Sequence, residues 1–317
     1  MSPIVFFAVF AFLFGGAVGS FLNVVVWRLP AGMSLSYPGS HCPLCGHPIR
    51  WYDNVPILGW IFLCGKCRDC KAGIAVRYPI VETTVAVAFL LLFLTCWGAP
   101  FRSAPPQDPM LAVTYAIDNL LGMFVLEAVL VATLFAAGLI ARDGHPIPLR
   151  VFGFVLVLGV VVPCIWPAAR PMPLFAGHDA WSGWANRTFF SDGTPVHQCV
   201  LDGLAGASVA LIAGYVASFA LRLRSTERTP WRLASLAVGL VAGWQIVFAA
   251  LLSTYISYAV ARVAGLASSS PAKTESKKRG KRNAKNSEEA SGGGVGPIFH
   301  LAFWTFVALC IWPLIIG

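Results

Sequence analysis

The sequence contains very little charge for its length. Of its 317 residues only 12% are Asp, Glu, Lys or Arg, whereas 57% are hydrophobic, and the mean hydropathy is +0.72. A soluble domain carries about 25% charged residues, so this composition excludes a soluble globular protein and indicates an integral membrane protein. The net charge of +9 does not indicate a nucleic-acid-binding protein, because the basic residues lie in loops between apolar segments.

The sequence also lacks the features of a cleaved signal peptide and of a nucleotide-binding loop. No basic segment precedes the first apolar run, residues 4–27, and Trp27-Arg28 stands where small residues would allow cleavage. We therefore expect a retained transmembrane helix. No glycine-rich loop follows a strand-like segment, so the residues themselves do not indicate a nucleotide-type cofactor.

Long apolar segments predict an all-α polytopic membrane protein. A helix needs about 20 apolar residues to cross a bilayer, and the clear candidates are 4–27, 80–97, 111–140, 150–167, 199–221 and 299–316. Segment 233–263 has the length of one long helix or two short ones. Basic loops flank it at 222–232 and 265–294, and keeping both in the cytoplasm requires two crossings, which a break near Gly243-Trp244 would allow. We expect about eight transmembrane helices with both termini outside.

The composition of the connecting segments predicts the domain organisation. Segment 266–294 is rich in Ser, Lys, Gly and Glu and cannot form a core, so we expect it to be disordered. The predicted units are a first transmembrane helix at 1–27, a cytoplasmic zinc-ribbon-like domain at 28–79, a transmembrane helical core at 80–264, a disordered basic cytoplasmic loop at 265–296 and a last transmembrane helix at 297–317.

Two cysteine pairs predict a metal site between the first two transmembrane helices. Cys42-x2-Cys45 and Cys67-x2-Cys70 are separated by 21 residues. Two cysteines flanking two residues can direct both sulfurs at one ion, and two such pairs complete a tetrahedral structural zinc site. Disulfides are disfavoured in the reducing cytoplasm. Four thiolates leave no open coordination position, so we expect the zinc to be structural.

Three other residues offer alternatives for this metal site. Cys64 also forms a Cys-x2-Cys pair with Cys67. We prefer Cys67 and Cys70 as ligands, because Cys64 ends the apolar run ILGWIFLC and is expected to be buried. His41 and His47 lie close enough in the sequence to replace a thiolate.

Several motifs together resemble the amino-terminal part of prepilin peptidases, the type IV leader peptidases of bacterial pilus and type II secretion systems. The motifs are the two cysteine pairs, GSFLNVVVWRLP (19–30), NVPILGW (54–60) and VRYPIVE (76–82). The resemblance is dense over residues 15–82 and then thins to GWQ (243–245) and the pair Gly296-Pro297.

The resemblance implies a fold, a location and an activity. The family has eight transmembrane helices in the bacterial inner membrane, in agreement with the count from charge and length. Two aspartates at cytoplasmic helix ends activate a water that cleaves between a basic leader and the hydrophobic stalk of a prepilin. Some members also methylate the new amino terminus with S-adenosylmethionine, which is expected here only if methyl transfer is retained.

The first catalytic position of the family does not carry an acid in this sequence. The family's aspartate lies seven residues before a proline, and with Pro148 as that proline the position falls at Ala141. Asp143 matches the second acid of the family's turn, which is not the catalytic one. It would face away from the site unless the helix ends before it.

The second catalytic position also lacks its acid. The family has a Gly-Asp-x-Lys motif about a dozen residues before GWQ, and counting back from Gly243 puts Trp231 or Pro230 at the aspartate. The nearest acid is Glu227, for which pairing with Arg224 or Arg228 is the ordinary explanation. Both catalytic aspartates are therefore predicted to be replaced, with Asp143 and Glu227 as the remaining candidates.

Three further acids lie in predicted transmembrane segments. Asp118 and Asp202 lie near the outer face, whereas Glu127 lies nearer the middle of the bilayer. We interpret Glu127 as a hydrogen-bonded packing residue with a polar partner such as Gln245 or Ser253.

Two functional hypotheses follow. In the first, the chain is a catalytically inactive prepilin-peptidase homologue that binds pilin-like proteins or partners of pilus and secretion assembly. In the second, it is an active leader peptidase whose acid pair has moved, for example to Asp143 and Glu227. Both hypotheses place the chain in the bilayer and neither involves nucleic acid.

Overall fold

The structure, a computed structural model, describes residues 2–98, 109–165, 196–264 and 296–316. Within these residues the chain is α-helical, with two short 3-10 turns and no β-strand. The prediction of an all-α membrane protein is confirmed. In this part of the chain the helices are α1 (Pro3–Arg28), α2 (Leu58–Phe62), α3 (Arg77–Gly98), α4 (Pro109–Arg142), α5 (Gly153–Ile165), α6 (Val196–Ala220), α7 (Ser225–Ala242), α8 (Trp244–Val263) and α9 (Pro297–Ile316).

Five of these helices contain segments long and apolar enough to cross a membrane. They are Pro3–Arg28, Arg77–Trp97, Leu120–Arg142, Gly203–Ala220 and Ile246–Val263. Shorter apolar helical segments lie at Leu149–Cys164 and Pro297–Ile311. The chain is thus a multi-pass membrane protein. The count of eight crossings stays a prediction, because α7 begins in a basic segment and is not among these helices.

Segment 233–263 belongs to two helices, as the positions of the basic loops required. Helix α7 ends at Ala242 and α8 begins at Trp244. Gly243 between them has φ 87° and ψ 169°, a backbone conformation that glycine adopts without a steric penalty. The break predicted near Gly243-Trp244 is therefore present.

Close contact between α1 and α3 depends on glycine. A Cβ on Gly15 would lie 2.7 Å from Phe89 Cβ and 2.9 Å from Ala86 Cα, and one on Gly19 would lie 2.7 Å from Glu82 Cα. Small residues spaced four apart allow transmembrane helices to approach closely, because the hydrophobic effect does not drive their association in lipid. The contacts run in opposite directions along the two helices, so α1 and α3 form an antiparallel pair.

A second glycine contact joins α6 and α7. A Cβ on Gly206 would overlap the backbone carbonyl of Gly239, and the reverse holds for a Cβ on Gly239. Beyond it, apolar side chains of α4, α7 and α9, including Leu134, Ala237 and Leu301, are fully buried.

Some predictions fall outside the described residues. The predicted disordered loop 265–296 does so except for Gly296, and the side chains of Asp118, Asp202 and Gln245 do so as well.

Candidate metal centre and the predicted catalytic positions

The segment between α1 and α3 brings the four predicted cysteines together. The ligand atoms of Cys42, Cys45, Cys67 and Cys70 all lie within 4.8 Å of one another. The sulfurs of Cys42 and Cys70, one from each pair, are 3.7 Å apart. This spacing is that of four thiolates around one tetrahedral ion, for which the Zn–S distance is about 2.3 Å.

Backbone hydrogen bonds fold the first pair into a tight turn. The Cys42 N–H donates to the His47 carbonyl at 3.0 Å, and the Gly46 N–H donates to the Cys42 carbonyl at 2.9 Å. Gly46 has φ 72°, which a glycine adopts readily. The turn therefore holds Cys42 and Cys45 on the same side of the loop.

The second pair repeats the same turn. The Cys67 N–H donates to the Ala72 carbonyl at 2.7 Å, and the Lys71 N–H donates to the Cys67 carbonyl at 3.0 Å. Lys71 occupies the position of Gly46 and has φ 61°. Because a non-glycine residue rarely adopts this conformation, the second turn carries a steric strain that the first one lacks.

The pKa values of the two thiols in the first pair are shifted in opposite directions. Hydrogen bonds from the backbone N–H groups of Cys45 and Leu44 lower the pKa of Cys42 to about 6. The His47 N–H favours the Cys45 thiolate, but burial and the neighbouring sulfurs outweigh it and raise the pKa of Cys45 to about 12. Four thiolates this close repel one another, and a bound cation removes that repulsion. The donor set therefore fits zinc.

The alternative ligands lie outside the cluster. Cys64 is exposed and has φ 49°, so the expectation that it is buried was wrong. It lies in the turn after α2, where the chain leaves the apolar segment. His41 and His47 are exposed, and the cluster consists of the four cysteines.

An ion pair connects the second turn to the preceding loop. Arg68, which lies between Cys67 and Cys70, donates from Nε and Nη2 to the two carboxylate oxygens of Asp53 at 2.7 and 2.5 Å. These hydrogen bonds hold the pKa of Asp53 below its ordinary value. Two parallel bonds fix the orientation of both groups, so Asp53 positions the cysteine turn.

Asp143, the acid in the turn after α4, forms an ion pair with Arg77. Both of its carboxylate oxygens accept hydrogen bonds from Arg77, at 2.8 and 2.6 Å. Helix α4 ends at Arg142, and Gly144 with φ 76° turns the chain away. Asp143 therefore lies beyond the helix end, whereas Ala141 lies in its last turn.

Pro230 and Trp231, the two residues predicted for the second catalytic position, are both buried in α7. Trp231 is fully buried, and its indole N–H donates to the Gly214 carbonyl at 3.0 Å. Glu227 accepts a hydrogen bond from the backbone N–H of Arg224 at 3.1 Å and completes a capping box at the start of α7. Its partner is thus the backbone of Arg224.

Glu127 lies in the core of the helical bundle. Its side chain is buried, and the Cys96 thiol lies 3.3 Å from its Oε2. A carboxyl at this depth requires hydrogen-bond partners, which agrees with the packing role predicted for it.

The comparisons with known proteins agree with the amino-terminal motifs. Residues 13–96 match the family described as bacterial peptidase A24 N-terminal domain. The matched segment is the one that carries the motifs resembling prepilin peptidases. No solved structure matches the chain significantly.

Proteins named as prepilin peptidases are similar to part of the chain. The "Prepilin leader peptidase/N-methyltransferase" of Myxococcus xanthus is 50% identical over 90 residues, which are 28% of this chain and 26% of that protein. The protein of the same name from Klebsiella pneumoniae is 41% identical over 116 residues, 34% of this chain and 51% of that protein. The one from Pseudomonas aeruginosa is 37% identical over 166 residues, 43% of this chain and 54% of that protein. The chain thus spans between about a quarter and about half of the length of these relatives.

Two partners in the prepilin-peptidase segment were missed by sequence reasoning. Arg77 pairs with Asp143, and Glu82 accepts a hydrogen bond from the Ile57 N–H. The available signal was their position in VRYPIVE, where two charged residues lie at the start of an apolar helix.

The coupling free energy of the Arg77–Asp143 ion pair can be predicted and measured. Side-chain exposure is 44% for Arg77 and 24% for Asp143, so water weakens their attraction. We expect a double-mutant cycle of Arg77→Ala and Asp143→Ala to give a coupling free energy of about 1 kcal/mol that declines with salt. Unfolding of the purified protein in detergent measures it, and a coupling near zero would contradict a structural role for the pair.

Proposed function

We propose that this chain is a prepilin-peptidase-like membrane protein that binds pilin-like helices or pilus and secretion assembly proteins without cleaving them. The cysteine-rich domain holds one structural zinc through Cys42, Cys45, Cys67 and Cys70. That domain and the basic loop 265–296 face the cytoplasm of a bacterial inner membrane, and both termini lie outside. What is retained is a bundle of apolar helices suited to packing against a hydrophobic helix.

The observation that carries this proposal is the pair of hydrogen bonds between Asp143 and Arg77. Both carboxylate oxygens accept hydrogen bonds from Arg77, so the arginine occupies both of them. An acid of a water-activating pair needs an oxygen directed at the water and a neighbour that shifts its pKa. Trp231 supports the same conclusion, because a buried indole replaces the expected aspartate.

The alternative function is an active leader peptidase with Asp143 and Glu227 as a displaced acid pair. It is supported by the names of the relatives and by the partial exposure of Asp143. Their full names include methyl transfer, so S-adenosylmethionine is a cofactor only under this alternative. It requires Asp143 to leave Arg77 and Glu227 to leave the Arg224 N–H at the start of α7.

Leader cleavage distinguishes the two functions. The full chain is co-expressed with prepilin-like substrates in a host that lacks its own prepilin peptidase, and the shift from precursor to mature form is followed by gel and mass spectrometry. We expect no cleavage by the wild-type chain, while an active homologue processes the same substrates. We expect uncleaved prepilin to co-purify with the chain, which would show binding without cleavage.

Two variants make the result specific. If Asp143 acts as a general base, Asp143→Asn lowers cleavage by about 10²–10⁴-fold, and Glu227→Gln does so if that acid takes part. Wild-type cleavage that either variant abolishes would overturn the proposed function. Glu227→Ala also removes a helix cap, so the glutamine variant is the better test of chemistry.

A further inference from the structure

The loop that contains the cysteine turns also contains a stretch with no charge. Residues 54–65 read NVPILGWIFLCG and lie between Asp53 and Lys66. They fall within the predicted cytoplasmic zinc-ribbon-like domain at 28–79. In water, a segment of this composition would be expected to cover its apolar side chains, as a globular domain does.

The apolar side chains of this stretch are not covered by the described part of the chain. Val55, Leu58, Ile61 and Phe62 are all exposed, and Phe62 is exposed to 77%. Helix α2 presents three of them, which makes one contiguous apolar surface. Such a surface marks an interaction site when it is retained in a folded protein.

The contacts of this stretch lie well inside the transmembrane helices. A Cβ on Gly16 would lie 3.6 Å from Pro56 Cβ, and Gly16 is about 18 Å along α1 from Arg28. The Ile57 N–H donates to Glu82 Oε2 at 2.7 Å, and Glu82 is about 7.5 Å along α3 from Arg77. Both contacts fall within helices that are long and apolar enough to cross a membrane, which would put Pro56 and Ile57 at the depth of the hydrocarbon.

Most backbone N–H groups of the stretch are hydrogen-bonded within the protein, which favours its entry into lipid. A backbone N–H at membrane depth must be hydrogen-bonded within the protein. Four backbone N–H groups donate to carbonyls of the same stretch at 2.6 to 3.2 Å. The donors are Leu58, Gly59, Ile61 and Leu63. The Ile57 N–H is bound by Glu82, and the Trp60 indole N–H donates to the Ile74 carbonyl at 3.1 Å.

A strained turn fixes the direction in which α2 leaves the helices. Ile57 has φ 65° and ψ −56°, and the Leu58 N–H donates to the Pro56 carbonyl, which together define a γ-turn of the rare strained type. A β-branched residue adopts this conformation only when its surroundings hold it there. Glu82 holds it through the Ile57 N–H, and the same carboxylate is hydrogen-bonded by Ser20 of α1.

We propose that residues 54–63 form a re-entrant segment that enters the bilayer beside α1 and α3, with acyl chains as the partner of its exposed face. Leu58, Ile61 and Phe62 contact lipid, and Glu82 anchors the segment. Lys66, the first charged residue after it, lies at the level of the headgroups. The cysteine turns are thereby held against the membrane surface.

Spin labels measure the depth of this segment directly. A ketone-bearing amino acid is introduced at Phe62, or at Leu58 in a second variant, and a nitroxide is attached to it, so that the cysteines stay unmodified. Leu44 is the matched control, because it is equally exposed at 77% but lies in the first cysteine turn. The full chain is placed in vesicles of phosphatidylethanolamine and phosphatidylglycerol, and collisions with oxygen and with a water-soluble nickel chelate are compared.

We expect the ratio of oxygen to nickel collisions to be several-fold higher at positions 62 and 58 than at 44, because oxygen concentrates in acyl chains and the chelate stays in water. Equal ratios at the three positions would place the segment in water and overturn the proposal. Low collision rates with both reagents at positions 62 and 58 would show that protein, such as a second copy of the chain, covers this face, and would also overturn it.

The anchor is tested by substitutions on α3. Glu82→Ala leaves the Ile57 N–H without its acceptor, so the ratio at position 62 should fall towards that at 44. Glu82→Gln keeps an acceptor oxygen and should retain most of the wild-type ratio. Thr84→Ala is the control, because its hydroxyl donates only to the Ile80 carbonyl of its own helix among the bonds described here. An unchanged ratio in Glu82→Ala would overturn the role of Glu82 as anchor.

Discussion

Replacing Cys42 with serine is expected to remove zinc from the chain and to unfold the segment between α1 and α3. The segment has short turns and isolated bridges in place of a hydrophobic core, so a bound metal would supply much of its folding free energy. Binding of structural zinc to small domains contributes about 10–16 kcal/mol at neutral pH. We expect one zinc per wild-type chain and none in Cys42→Ser, measured by elemental mass spectrometry after dialysis against a mild chelator.

Cys64→Ser provides the matched control for this experiment. Cys64 also forms a Cys-x2-Cys pair with Cys67, but its side chain is exposed and lies outside the cluster. The Cys64 variant should therefore keep a full zinc complement, whereas Cys70→Ser should lose it. Loss of zinc from Cys64→Ser with retention in Cys70→Ser would reverse the assignment of ligands. Zinc retained in all variants would contradict a four-thiolate site.

Replacing Trp231 with alanine is expected to lower the free energy of unfolding by about 3–5 kcal/mol. The side chain is fully buried between helices, so its removal leaves a cavity that the bundle fills only in part. The loss of its hydrogen bond to the Gly214 carbonyl adds a further unsatisfied group. Thermal unfolding of the purified protein in detergent measures the change.

Trp51→Ala is the comparison for the tryptophan substitution. Trp51 is exposed to 83% and contacts the ring of Tyr52 in the loop before α2. Its removal should change the unfolding midpoint by much less. Similar changes for Trp231 and Trp51 would contradict the buried position of Trp231. They would also reopen the question of whether an acid could be accommodated there.

If both catalytic aspartates are replaced, as we propose, the burial of Trp231 affects how an acid could be reintroduced there. Trp231→Asp would put a carboxylate into a site shaped for an indole, where burial of the charge is unfavourable unless hydrogen bonds compensate it. Ala141 is different, because it lies in the last turn of α4 near Gly296. An acid there meets fewer steric obstacles, so the second catalytic position is the more difficult one to rebuild.

The class of protein, the grouping of the four cysteines and the break at Gly243 could all be predicted from the sequence. These features depend on local properties, namely the length of apolar runs, the spacing of Cys-x2-Cys pairs and the positions of basic loops. Each can be inferred from neighbouring residues, since each depends on the chemistry of one short segment and its solvent. The prepilin-peptidase motifs are local in the same sense, and the comparison over residues 13–96 agrees with them.

Contacts between residues far apart in the chain could not be predicted from the sequence. Asp143 and Arg77 are 66 positions apart, and Glu82 and Ile57 are 25 apart, so each pairing depends on how the helices pack. Burial of Trp231 and exposure of Cys64 likewise depend on which face of a segment meets its neighbours. In lipid, apolar composition does not distinguish a buried face from an exposed one, because hydrocarbon surrounds both. The alternation of apolar and polar residues that marks the inner face of a water-soluble helix is therefore weak in these helices, and their contacts depend on how the chain packs.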